Sequence, residues 1–429
     1  MISFDTILQH AKGLWPVKEE FLAWPRWRQT AFVAIVFLTA CFVVHEFLTP
    51  YRWSWAHLGR LVLKTLFVAG LYFVSIRWTP NPLTAKKLEQ FHQIKRGYYS
   101  FLILAGLLVI TIFGPLLISN RALVVGYQGK IHFPTYTAFH PGTDFGLDYE
   151  YETNYRDLKK KFKEEGGGFV ILPLVPYSAM ENDYGNGIRH PAPPSVERRH
   201  FLGTDKTGRD VLARLFYGFQ IAMLFTLGFL LLVYVIGIAV GCAMGYFGGA
   251  IDLLGQRLVE IWANIPFLYM VIISVSLVPA GVSVPARIGV LMLVMVLFSW
   301  TTMTFYMRTA TYREKSRDYV AAARILGAST PRIIFGQVVP NTIATIVTFV
   351  PFNLASAIIT ITALDYLNFG LPPPTPSWGA MLSEGKSNMQ APWILLSPFF
   401  AMIGTLTLVT FVGEAIRDAF DPKKFTIYR

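Results

Sequence analysis

A few places in this 429-residue sequence hold residue types that could do chemistry, and spacing tests each of them. The segment Gly379…Gly385-Lys386-Ser387 approaches a phosphate-binding loop. Such a loop needs a strand, a glycine turn and a helix, so that backbone N–H groups can cradle phosphate. Here one residue too many separates the glycines, and no strand-like run precedes them. His45-Glu46 is half of a zinc helix and lacks the second histidine one turn on. Cys41 and Cys242 lie far apart inside apolar runs, which supports neither a disulfide framework nor a cysteine metal site. Serine, histidine and acid do not fall at a nucleophile's spacing. The sequence therefore implies no catalytic residue, no cofactor-binding residue and no metal ligand on this chain. The densest ionisable group is Asp205, Arg209 and Asp210, with Gly203 and Gly208 beside them. It reads foremost as a local charge network anchoring the start of an apolar span, with substrate or docking contact as the alternative. The glycines read as tight turns.

The elements around these residues are too apolar for a soluble protein. Hydrophobic residues make up 53% and charged residues 15%, where soluble domains run near a quarter charged. Mean hydropathy is +0.45. A spanning helix needs about twenty apolar residues, and stretches at 30–48, 61–78, 98–119, 219–246, 265–279, 288–307, 342–362 and 394–412 qualify. The fifth is short, so its helix is expected to begin earlier, near Ile251. Leu38-Thr39-Ala40-Cys41 looks like a lipoprotein cleavage box, but the apolar run continues through Phe42, Val43 and Val44, so a retained anchor is expected.

Net charge is +12, and the basic residues cluster before the first span and after the second, sixth and eighth. With eight spans those clusters share one side, which the positive-inside rule makes the cytoplasm, with both termini there. Such short runs between spans do not build a nucleic-acid face. The long segment 120–214 then faces outward as a small subdomain. Within it, residues 122–133 read as a β-hairpin. Residues 149–165 read as a surface helix ended by Gly166-Gly167-Gly168, and 191–194 as a proline-rich connector.

The cytoplasmic loop 309–340 has more order than a simple connection needs. Asp318 starts a short helix bearing Ala321, Ala322 and Ala323, and Gly327 closes it. Thr330 is placed to cap a second helix, with Pro331 at its first position. Small residues on one face let another protein approach closely.

Ala322-Ala323-x-x-x-Gly327 followed by Pro340-Asn341 resembles the "EAA" loop of ABC-importer permeases. Ala321 stands where that loop's acidic residue is often found. Phe201-Leu202-Gly203-Thr204-Asp205-Lys206-Thr207-Gly208-Arg209-Asp210 resembles the LGTDxxGRD segment of dipeptide and oligopeptide permeases. Gly245-Tyr246-Phe247-Gly248-Gly249, Phe369-Gly370-Leu371-Pro372 and Gly413-Glu414-Ala415-Ile416-Arg417-Asp418 follow in the family's order. Glu260, where most of the family has aspartate, and the long outer loop point to the microcin C-type peptide importers.

That resemblance implies an all-α polytopic membrane protein of the bacterial inner membrane. Its fold would be a six-helix type I ABC-importer permease core (95–424), preceded by two extra transmembrane helices (1–94). The outer insertion (120–214) would hold some β structure, and 309–340 would be the coupling loop. Arg317, Asp318, Ala322, Ala323, Arg324, Gly327 and Pro340 would meet a cytoplasmic ATPase that carries the ATP and magnesium. A second permease and an extracytoplasmic peptide-binding protein would complete the assembly. Asn264, Ser299, Thr301, Asn353 and Ser356 are candidates for the pore wall, with helix packing as the alternative. An ion-coupled carrier fits less well, because Lys64, Glu260, Asp365 and Glu414 sit near span ends and mid-span charge is scarce.

Overall fold

The computed structural model describes residues 82–420, save 137–138, 184–188 and 280. The apolar stretches 30–48 and 61–78, the cleavage box at Cys41 and the tail beyond 420 lie outside the described residues. The described residues divide into two compact units, one holding Pro115–Pro176 with 82–98, the other Tyr99–Gly114 with 177–420.

In chain order, α1 (Pro82–Gln93), α2 (Lys95–Ile112) and the single turn α3 (Gly114–Leu117) lead to the segment 118–210. There β1 (Val124–Tyr127) and β2 (Lys130–His132) form the expected hairpin, Val125 opposite His132. The two-residue turn works because Gln128 and Gly129 both take positive φ, 47° and 75°, the geometry that matches strand twist. α4 (Tyr155–Glu165) starts six residues later than expected, because Asn154 accepts the N–H groups of Arg156 and Asp157 and so fixes the cap. Gly168 does not end that helix. It opens a third strand, β3 (Gly168–Ile171), antiparallel to β1 on its free edge. Val125, Val170, Leu158, Phe162, Phe145 and Tyr155 close a small core between sheet and helix.

The second unit is helical: α5 (Val211–Phe247), α6 (Gly249–Ala263), α7 (Phe267–Ser276), α8 (Val284–Ser299), α9 (Thr301–Lys315), α10 (Asp318–Ile325), α11 (Thr330–Ile333), α12 (Val339–Tyr366), α13 (Trp378–Ser387) and α14 (Pro392–Phe420). Among the described residues, α2, α5, most of α12 and α14 are long and apolar enough to cross a membrane, and six spans result if each of two bent pairs is one. The expected continuous helix from Ile251 through 279 is instead broken by 71° between α6 and α7. Pro266 has no N–H and disfavours helix at the residue before it, while the Asn264 side chain donates to the Glu260 carbonyl at 2.7 Å. The stretch 288–307 is likewise bent, by 44° at Trp300. There the Thr304 N–H and hydroxyl both donate to the Trp300 carbonyl, a back-bond that bends helices.

α5 packs on α9 along a seam of glycines one turn apart. A Cβ on Gly237 would lie 2.6 Å from the Met303 Cβ, one on Gly241 2.8 Å from the Met307 Cβ, and one on Gly245 2.8 Å from the Thr311 Cβ. Small residues at every fourth position let two backbones approach in a bilayer, where dispersion replaces the hydrophobic drive. Away from this seam α5 leaves Leu224, Leu231 and Val235 exposed. Phe229, Val233, Leu291, Met295, Met303, Met307 and Ile361 fill the interior.

Candidate functional site

The segment 203–210 folds into a closed turn held by its own aspartate. Asp205 Oδ1 accepts the Thr207 N–H and hydroxyl, both at 2.8 Å, and the Arg209 N–H at 3.0 Å. Gly203 and Gly208 take φ of 75° and 85°, and a side chain on Gly208 would press on the Asp183 carbonyl. Asp210 caps α5 by accepting the Ala213 N–H at 2.7 Å. All five residues expected to share this site are thus together. Two that sequence reasoning missed complete it. Arg214, one turn into α5, donates Nη1 to Asp205 at 2.5 Å and to Glu384 of α13 at 3.0 Å. Glu384 also accepts the Lys206 N–H at 3.0 Å and approaches Arg209 Nη2 at 3.5 Å. Glu384 is the lone acid of α13, a signal available in the sequence, but its partners lie some 170 residues away. A second buried carboxylate, Asp365, accepts the Leu371 N–H at 2.6 Å and the Ser377 hydroxyl at 2.5 Å, which pins the proline-rich loop between α12 and α13.

Charge sets the pH response of this region. Burial opposes ionisation of Asp205, but the Arg214 and Arg209 guanidiniums outweigh it and hold the carboxyl below its ordinary range. Its stabilisation is therefore present above about pH 4 and is lost as pH falls through the depressed value. His200 behaves oppositely. Burial disfavours its charge, yet Asp183 at 3.3 Å and Asp210 at 2.7 Å flank the ring and raise its pKa. That stabilisation is complete below about pH 6.5 and disappears as pH rises through the raised value. We expect the thermal midpoint to fall between pH 6 and pH 9 by more in the wild type than in His200→Gln. Equal slopes in the two proteins would show that His200 carries no such linkage.

At the other end of the bundle, α9 runs into α10 and α11. Arg317 is the exposed cap residue of α10 and Asp318 its exposed first residue. Ala322 is exposed, and Ala323 is half-buried against the core. Arg324 donates to the Tyr246 hydroxyl at 3.3 Å and lies 5.6 Å from that ring's centre. Gly327 ends the helix with φ 79° and open space around it. The second helix begins one residue earlier than expected, with Ser329 in the cap position and Pro331 second; no side chain caps it. Pro340 is exposed in the first turn of α12. Beneath this surface Val320 and Ile333 are buried. Tyr319 donates to Glu314 at 2.8 Å, and burial with that bond pushes its phenol up to about 12. Bidentate Asp252–Arg308 contacts at 2.5 and 2.6 Å tie α6 to α9. On top, Ile325 and Leu326 are 86% and 85% exposed.

The five polar residues considered for a pore wall are not joined to one another by any hydrogen bond among the described residues. Asn264 and Ser356 are exposed, Ser299 is half-buried, Thr301 is buried, and Asn353 donates to the Tyr234 hydroxyl at 2.8 Å.

Residues 237–426 match the family described as binding-protein-dependent transport system inner membrane component. The chain is 36% identical over 344 residues to the inner membrane ABC transporter permease protein YejE of Escherichia coli, covering 80% of this chain and 98% of that one. It is 35% identical to the peptidoglycan transport system permease protein YejE of Agrobacterium fabrum, covering 80% and 94%. With the oligopeptide transport system permease protein OppC of Haemophilus influenzae it shares 32% identity, covering 65% and 91%. Helices of spanning length, five family segments in order and these likenesses agree: the chain belongs to the inner-membrane permease family of binding-protein-dependent ABC transporters.

Proposed function

We propose that this chain is the pore-forming subunit of an importer that carries peptides into the cytoplasm, driven by a separate ATPase seated on 309–340. The observation that carries the coupling part is the pair Ile325 and Leu326, held almost fully exposed on a turn whose underside is buried. A soluble loop gains nothing from two such side chains in water, whereas a partner's cleft would bury them at about 1.5–3 kcal/mol each. Arg317, Asp318, Ala322 and Ala323 flank the turn, Gly327 keeps its crest free of side chain, and Pro340 borders it. Arg324, turned onto Tyr246, serves the loop's own shape. ATP and magnesium belong to the ATPase. The peptide cargo rests on the relatives' names, which speak of oligopeptide, dipeptide and peptidoglycan transport, with a microcin C-like peptide as the finer reading. A second permease and an extracytoplasmic binding protein are the remaining partners. The region before residue 95 is an addition to the core, 120–214 lies outside the membrane, and both termini are cytoplasmic.

Ile325→Asp with Leu326→Asp is expected to lower ATPase recovery with the purified permease by at least about a hundredfold, while membrane insertion stays intact. Undiminished recovery would refute docking at this turn. Gly327→Arg, which adds bulk to the same crest at a backbone cost of about 1–2 kcal/mol, should act in the same direction.

A further inference from the structure

A cavity of about 400 Å³ opens between the 203–210 turn, the loop after α12 and α13, with Lys206, Arg209, Asp365, Thr375, Ser383 and Glu384 among its lining residues. Its size suits a small ligand. The acids in it are already committed. Glu384 takes the Lys206 N–H and the two guanidiniums, and Asp365 takes Leu371 N–H and the Ser377 hydroxyl. Two of its cations, Arg209 and Lys206, are less so. Arg209 gives Nε to Asp205 and only a long Nη2 contact to Glu384, which leaves Nη1 unused among the described residues. The Lys206 side chain is exposed, and its ammonium has no ion-pair partner among the described residues. Arg214, also in the lining, is paired with both Asp205 and Glu384, so Lys206 is the lining cation left without an ion pair among the described residues. Ser383 and Thr375 add hydroxyls of the kind that bind a peptide backbone.

What these donors lack is an anion with a planar pair of oxygens, since the Arg209 Nη1 group and the Lys206 ammonium can each donate to one oxygen of a carboxylate. We infer that the cavity binds the terminal carboxylate of a short peptide, held by Lys206 and Arg209. This deepens the peptide-importer reading and rests on it. Lys206 sets the chemistry of the site while contributing only its backbone N–H to the fold, so its side chain can be changed without dismantling the turn.

The test uses the permease purified with its companion subunits in lipid nanodiscs, without the extracytoplasmic binding protein. Calorimetry compares trialanine with trialanine amide. The wild type should bind the free acid about tenfold tighter than the amide, and Lys206→Met should erase that preference. Lys386→Met removes an equal charge from α13 at a residue outside the cavity and should keep it. Equal binding of acid and amide by the wild type, or a preference surviving Lys206→Met, overturns the proposal. So does a preference seen only when the binding protein is added, since the carboxylate recognised is then a protein's. Failure of the peptide-importer reading shows elsewhere, as ATP-dependent uptake of neither peptide in vesicles carrying the complete system.

Discussion

Arg214→Met should destabilise the region around the start of α5 by about 3–5 kcal/mol, the cost of breaking a buried ion pair by removing one partner. Arg214 is only 4% exposed, and its carboxylate partners Asp205 and Glu384 are 0% and 7% exposed. Without the guanidinium, two buried carboxylates share Arg209, which reaches Glu384 only at 3.5 Å. The Arg214 Nε finds no acceptor, so the two contacts through Nη1 carry the pairing. At roughly 2–4 °C per kcal/mol for a domain of 150–250 residues, the thermal midpoint in detergent should fall by about 10 °C. Arg214→Lys should recover part of this, because a point charge cannot reproduce a planar fork. A midpoint within about 2 °C of the wild type would mean that the cluster is dispensable.

Gly241→Val should be the most damaging change inside the membrane. A Cβ there would stand 2.8 Å from the Met307 Cβ and 3.0 Å from the Arg308 nitrogen. The nitrogen is backbone, so relief requires α5 and α9 to move apart rather than a rotamer to turn. Overpacking costs about 1–3 kcal/mol, and separation of the helices forfeits further dispersion along the seam. Pulsed proteolysis in detergent should therefore show cleavage near Trp300 at least tenfold faster than in the wild type. Gly289→Val, at a position with nothing within 4 Å, is the control. Equal cleavage of the two variants would remove the seam from the account.

Much of this could be read from residue types. Apolar length located α2, α5, α12 and α14, the Gln128-Gly129 turn announced the hairpin, and Gly327 closed α10 as its conformation requires. What escaped was whatever depends on partners distant in sequence. β3 has no alternation distinctive enough to name its place beside β1, and Glu384 meets Arg214 only because the fold brings α13 to the start of α5. The breaks at Pro266 and Trp300 were hidden by continuous hydrophobicity, which records burial in lipid and is silent about direction. The 203–210 segment was legible as glycine turns beside a charge network at the start of a span, but its pairing was not. Which acid served which base required the coordinates of both helices.

The 37 residues of α5 form one unbroken helix, about 55 Å long at 1.5 Å per residue. Its first turn is clasped by the Asp205–Arg214–Glu384 cluster, and its last contains Tyr246, on which Arg324 of the exposed turn rests. Joined to α9 by the glycine seam, this helix is a stiff lever with a handle at each end. A tilt of about 5° imposed at Tyr246 would carry the opposite end roughly 5 Å, the reach of a helical turn.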